Sequence, residues 1–280
     1  MKFKKIRSFF QNTNWNKILD VLLWSQLLLM LLIILGFVSD KEKMMLCKYI
    51  NISVDNEAIG NYFVESQDIK ELIYSKGNAL IGQPMRKINV QQLEEVIRNN
   101  PFVENAEVYL TIDGEVNVEV KQRIPLVRII NSVNESFYID KHGTLMPVSD
   151  KYAARVPIAT GNILEKYSFR GLKTLNEEGD TLNKNTMLDT LFFLAKYIEK
   201  NEFVNSLVEQ IYVNEENEIE LIPRIGHHQI IIGDVTNLDE KFKKLLIFYK
   251  KGLNKAGWNE YSTINLKYKD QVVCTKNESQ

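Results

Sequence analysis

His227 and His228 are the residues whose type first suggests chemistry, because a neutral imidazole binds metals and moves protons near neutral pH. They are adjacent, so in a strand they point to opposite faces and make poor joint ligands. His142 stands in Lys141-His142-Gly143-Thr144, which reads as a turn with a surface imidazole. Two cysteines and three histidines cannot build a dedicated structural zinc site of the usual type. Cys47 and Cys274 stand at opposite ends of the chain's larger part. They either pair in an oxidising compartment or remain two unrelated thiols, and the second reading is preferred. Carboxylates are plentiful, but no spacing lifts a catalytic pair above ordinary solvated charges. There is no glycine-rich phosphate loop, no H-E-x-x-H, no G-x-S-x-G, and no S-x-x-K with its companions. No catalytic, cofactor-binding or metal-binding residue is assigned.

Composition points the same way. The net charge is −1 with 25% charged residues, so no field favours nucleic acid. A hydrophobic content of 45% supports a folded chain rather than a disordered one. Asn51-Ile52-Ser53, Asn134-Glu135-Ser136 and Asn277-Glu278-Ser279 match the glycosylation sequon, a short pattern that is common by chance in Asn-rich chains.

What must position any function is an apolar run, Val21–Val38, in which 15 of 18 residues are apolar and only Ser25, Gln26 and Gly36 are not. No charge falls between Asp20 and Asp40. The length approaches the roughly 20 residues that a helix needs to cross a hydrocarbon core. A cleaved signal peptide would have a shorter run and a small-x-small exit, which Gly36-Phe37-Val38-Ser39 does not offer. A buried core helix would show a polar face. The run therefore reads as an uncleaved transmembrane helix, over 18–39, behind a short tail, 1–17. Lys2, Lys4, Lys5, Arg7 and Lys17 precede it, against Lys41, Lys43 and Lys48 after it, which favours a cytoplasmic N-terminus. Trp15 and Trp24 would mark the cytoplasmic interface.

About 240 residues follow, enough for one large or two small domains. Ile50, Ile52 and Val54 alternate as in a strand. Ser66 resembles a helix N-cap with Glu65 and Asp68 beside it. Ile69, Leu72 and Ile73 form a helical stripe that Gly77 ends. After a loop with Gly82 and Pro84, a second helix runs from about Asn89 to Asn99, and Pro101 stops it. Ala106, Val108, Leu110 and Ile112, then Val116, Val118 and Val120, predict a hairpin. A three-residue loop, Asp113–Glu115, would pair Ile112 with Val116 and put Gly114 near a left-handed conformation. One mixed sheet with two helices on a single face would bury these stripes.

Beyond Arg123 strands are predicted at Ile124–Ile130, Phe137–Ile139, Gln210–Val213, Glu218–Ile222 and Gln229–Ile232, with a short apolar stretch at Val156–Ala159. Helices are predicted at about Asn185–Lys200 and from an Asn237/Glu240 capping box to Asn254, with Gly257 as a stop. Ile264–Tyr268 and Gln271–Thr275 close the chain around Lys269-Asp270. The class is α+β: 40–123 a strand-helix-helix-strand-strand module, 124–276 an antiparallel β domain with two helices, 277–280 a tail.

Five segments resemble, in order, motifs of the bacterial cell-division FtsQ/DivIB family. Asn99–Val108 resembles the stretch before the hairpin of its POTRA module, and Val118–Val127 resembles the "V-x-V-x-E-R-x-P-x-A" junction. Tyr138–Gly143 resembles "VDxxG", Val156–Gly161 "LPxLxG", and Asn265–Tyr268 "DLRY". Gln122, Asn265 and Lys267 depart from the usual Glu, Asp and Arg, and the glycine after the last motif is missing.

The resemblance implies a POTRA domain followed by a β domain, and a non-enzymatic scaffold of the divisome without cofactors. It implies a single-pass protein of the cytoplasmic (inner) membrane at the division septum, its C-terminal part periplasmic, linking early division proteins to septal peptidoglycan synthesis. The implied partners are the division proteins FtsB and FtsL. The implied contact is strand addition at a C-terminal edge, Tyr268–Thr275, with Lys267, Tyr268, Lys269, Gln271, Val272, Val273, Cys274 and Thr275 at the partner. Val272 and Cys274 equally fit inward core packing. Lys267 and Lys269 would pair with acidic partner residues or stand solvated. The POTRA domain would offer a second partner surface. The alternatives are another single-anchor POTRA adaptor and a membrane-anchored cell-wall enzyme.

Overall fold

The structure is a computed structural model that describes residues 15–43, 45–55, 62–75, 80–167, 186–253, 255 and 257–277. In the first helix, side chains are described over 20–34. The basic tail before Trp15, Gly77 and the last three residues lie outside these.

Helix α1 (Trp15–Lys43) holds the apolar run. Apolar side chains point in every direction around it, and each from Val21 to Ile34 is exposed, Trp24 at 73%. Ser25 returns its hydroxyl to the Leu22 carbonyl at 2.8 Å, so this polar side chain does not break the helix. Among the described residues no helix is long and apolar enough to cross a membrane.

The chain divides into two compact units. One contains Met1–Ser53, Lys70–Val96 and Glu107–Glu119; the other contains Val54–Ile69, Ile97–Ala106 and Val120–Gln280.

The first three strands are β1 (Tyr49–Asp55), β2 (Val103–Leu110) and β3 (Glu115–Gln122), ordered β1-β3-β2. Two helices, α2 (Ser66–Ser75) and α3 (Val90–Arg98), come between β1 and β2 in the chain. The stripes behave as patterned: Ile69, Ile73, Leu93 and Ile97 are buried. Ser66 is the first helical residue rather than the cap, and the Asp68 carboxylate accepts the Glu65 N–H at 3.0 Å. Asn89 caps α3 by accepting the Gln92 N–H at 3.1 Å. The hairpin loop has three residues and Gly114 sits at φ 87°, as expected, but it is placed one residue earlier than predicted. Thr111 donates its N–H to the Glu115 carbonyl, so Ile112 lies in the loop, 82% exposed, rather than opposite Val116.

The later part forms a nine-stranded sheet, ordered β12-β11-β10-β9-β8-β7-β4-β5-β6. Its strands are β4 (Pro125–Ile130), β5 (Ser136–Asp140), β6 (Leu145–Pro147), β7 (Ile158–Gly161), β8 (Val208–Val213), β9 (Ile219–Pro223), β10 (Gln229–Gly233), β11 (Tyr261–Asn265) and β12 (Val273–Lys276). Three pairs are parallel: β4 with β7, β7 with β8, and β10 with β11. The domain is thus mixed, which corrects the antiparallel expectation. The reason is the crossovers: α4 (Met187–Lys200) and α5 (Glu202–Leu207) link β7 to β8, and α6 (Leu238–Phe248) links β10 to β11. The short α5, capped by Asn201, was not foreseen and brings the α-helices described in this domain to three rather than two. Thr186 and Asp189 form a capping box on α4. Asn237 does not form one on α6; it adopts a left-handed φ of 52° and makes no side-chain cap. The core joins Leu191, Leu194 and Ile198 of α4 and Phe242 and Leu245 of α6 to Val127, Ile129, Phe137, Ile211 and Ile264 of the sheet.

The motif residues hold this sheet together. The buried Asp140 carboxylate accepts the N–H groups of His142 and Thr144 at 2.8 and 2.7 Å and pairs with Arg123 at 2.8 Å. Outside this sheet, the buried Gln122 at the end of β3 accepts the Val64 N–H at 2.9 Å. Gly161 has φ 104°, and a Cβ there would lie 2.0 Å from the Val213 carbonyl oxygen, so only glycine fits.

Candidate partner-binding edge

Among the described residues β12 ends the sheet, and its strand neighbour is β11, in antiparallel register: Thr263 faces Thr275, Ile264 faces Cys274 and Asn265 faces Val273. The direction of each backbone group follows from the parallel pair on the other side. Leu266 donates its N–H to the Ile231 carbonyl at 2.9 Å, and Ile264, two residues earlier, faces β10 likewise. Thr263 and Asn265 therefore turn to β12 and occupy Thr275 and Val273. Cys274 then directs its N–H and C=O away from β11, to the open side. An edge of this kind is a template for another strand.

Of the eight residues expected at the partner, Val273, Cys274 and Thr275 lie in β12, and Lys267, Tyr268, Lys269, Gln271 and Val272 lie in the connection before it. The predicted edge strand from Tyr268 thus starts at Val273 instead. Two local features break the extension: Asn265 accepts the Lys267 N–H at 3.0 Å, and Asp270 sits at φ 59°. A third is long-range, because Lys244 of α6 donates to the carbonyls of Leu266, at 3.1 Å, and Tyr268. Val272 and Cys274 pack inward against the core, whereas Tyr268 and Val273 are exposed. Burial pushes the Cys274 thiol up from its ordinary pKa. Both cysteines are free.

Lys267 is committed within the chain. It forms an ion pair with Glu218, and that hydrogen bond holds its pKa above the usual lysine value. Lys269 is exposed. Sequence reasoning missed Lys244 as the residue that shapes the edge; its only local signal was a lysine on an otherwise ordinary helix. Next to the edge, Ile247, Phe248, Gln271 and Val272, with Lys244 and Lys251, line a groove of about 430 Å³. A second, more polar cleft of about 560 Å³ holds Lys241 and Asp234. There the Lys241 ammonium, 2.6 Å away, together with the Thr236 hydroxyl, lowers the Asp234 carboxyl to about 2.

His227 and His228 point apart: His227 meets Asn259 at 3.3 Å, and His228 is buried with Nε2 2.6 Å from the Tyr249 hydroxyl. Burial, and secondarily His227, lowers the His228 pKa. Among the described residues, no group of three His, Cys, Asp or Glu side chains is arranged to hold a metal ion.

Residues 124–275 match the family model described as FtsQ/DivIB, C-terminal related, and residues 45–121 match a POTRA-like domain. The chain is 26% identical over 158 residues to the cell division protein DivIB of Clostridium tetani (strain Massachusetts / E88). The match covers 56% of each, so the chain spans just over half the length of this relative.

Proposed function

From the premise that this chain belongs to the FtsQ/DivIB family, with a POTRA-like domain before the family's C-terminal region, we propose that it is a non-enzymatic scaffold of the division machinery. It joins early division proteins to septal wall synthesis by accepting a strand of a partner of the FtsB type, carried with FtsL, on β12. The observation that supports this reading is the Cys274 backbone, turned away from β11 at the end of the sheet. Each added backbone hydrogen bond contributes about 0.5–1.5 kcal/mol net, and alternate side chains supply selectivity. Val273, on the exposed side of the strand, and Val272, in the neighbouring groove, are the apolar contacts on offer.

In this proposal α1 anchors the chain in the cytoplasmic membrane, N-terminus inside, and the domains from about residue 40 work in the periplasm at the septum. An apolar helix exposed on every side supports the anchor, since exposed apolar surface of this extent calls for lipid or a partner. The POTRA domain would run to about Arg123 and the β domain from there to about Lys276.

The test is a pull-down of the full chain in detergent with the extracytoplasmic segments of FtsB and FtsL from the same cell. Stable capture supports the proposal. No capture overturns the partner assignment and revives another POTRA adaptor or an anchored wall enzyme.

A further inference from the structure

β2 ends the three-stranded sheet, as β12 ends the other, yet its open side is occupied. Val108 donates its N–H to Glu94 Oε1 at 3.0 Å, and Arg98 Nη2 donates to the Ala106 carbonyl at 2.8 Å. Arg98 Nε also reaches Asn105 Oδ1 at 3.2 Å. Residues two apart in a strand direct their backbone groups to the same side. Since β3 takes the other side of β2, the Ala106 carbonyl and the Val108 N–H are groups that a further strand would use. Glu94 and Arg98 are four apart on α3 and so share a face. One supplies the acceptor and the other the donor, in the order the backbone requires. Together they make two of the bonds that an added antiparallel strand would make, through the two residues flanking the one opposite Glu107.

We propose that Glu94 and Arg98 act as an internal substitute for a fourth strand, closing the β2 edge against pairing with a second copy of this chain. The side chains on the two sides of the edge support this occupant. Ala106 and Val108 are buried on one face of β2, while Glu107 and Tyr109 alternate with them on the other. Over these four residues the alternation lets the strand pair antiparallel with its own copy, apolar face beside apolar face. The closure is electrostatic as well as steric: a carboxylate opposes an N–H and a guanidinium opposes a C=O, so reversing the two charges would turn attraction into repulsion.

The experiment uses the full chain in detergent and the charge-reversed double variant Glu94→Arg/Arg98→Glu, which keeps net charge and helix composition. Residue-resolved hydrogen exchange reads the Val108 amide, and light scattering reads the mass of the protein as its concentration rises. The expected result is exchange at Val108 accelerated by about tenfold or more at a concentration where the variant is still monomeric, unchanged protection at Val118 in the hairpin interior, and, as concentration rises, self-association that the wild type does not show. Unchanged exchange at Val108 overturns the proposal. So does faster exchange in a variant that stays monomeric at every concentration. If the reversal also strips protection from Val118, the milder pair Glu94→Ala and Arg98→Gln is measured in its place and is judged by the same two readouts.

Discussion

At one end of the nine-stranded sheet β6 is three residues long, carries a buried Met146 and ends at Pro147, which has no N–H to give. At the other end β12 is four residues long, has no proline, and turns the Cys274 N–H and C=O away from its neighbour. The two ends share one core and one hydrogen-bonded ladder. What separates them is how each edge is finished. β2, in the smaller sheet, shows a third finish, with helix side chains holding the groups that would otherwise pair. β6 and β2 are each finished by such a device, and the Cys274 backbone of β12 marks where a partner strand is proposed to add.

The harshest way to break the comparison is to damage the middle of the sheet. Gly161→Ala adds strain of about 1–3 kcal/mol at a positive φ and an overlap with Val213 that costs about as much again. The expected outcome is a loss of about 2–6 kcal/mol in denaturant unfolding, with both ends losing amide protection together. Arg123→Ala is next. It leaves Asp140 buried without its cation, a change that costs about 3–5 kcal/mol. Hydrogen exchange should rise at β5 and β6 and stay unchanged at β12, which would separate the two ends experimentally.

Smaller changes should act at the other end. Lys244→Met removes the donor that holds the Leu266 and Tyr268 carbonyls. It should cost about 1–2 kcal/mol and speed exchange between Lys267 and Val273. His228 works through pH. Its folded pKa lies below the ordinary 6.5, so its contribution is fully present above pH 6.5 and is lost as pH falls below that value toward the folded pKa. Acidification from pH 7 should loosen β10 and β11 before β5 and β6, and His228→Phe should remove most of that difference.

Local patterns made most of this fold legible. The alternation of Val116, Val118 and Val120, the stripes of α2 and α3, and the turns at Gly114 and Gly143 follow from side-chain period and backbone sterics alone. What local pattern could not give were features decided at a distance. Besides the local turns at Asn265 and Asp270, the connection before β12 is held by Lys244, which is 24 residues away from the Tyr268 carbonyl it holds. The parallel pairs depend on which strands flank each helix, a rule the order β7-α4-α5-β8 already contained. Asn237 failed as a cap because its left-handed backbone, common for Asn, carries the side chain away from the helix N–H groups. At the edge itself, the alternation of Val272 and Cys274 correctly offered inward packing as one reading, but only the register with β11 reveals which backbone groups are left over.

The most direct test of the open edge pairs two adjacent prolines. Cys274→Pro removes an N–H that points away from β11, whereas Thr275→Pro removes one that β11 uses. Affinity for the FtsB-type segment is measured on the full chain by titration, with thermal unfolding alongside. The account predicts that Cys274→Pro keeps its unfolding temperature within a few degrees of wild type and weakens the partner by about tenfold or more. Thr275→Pro should lose stability of the β11–β12 pair first. Undiminished binding by a folded Cys274→Pro protein would contradict strand addition at β12.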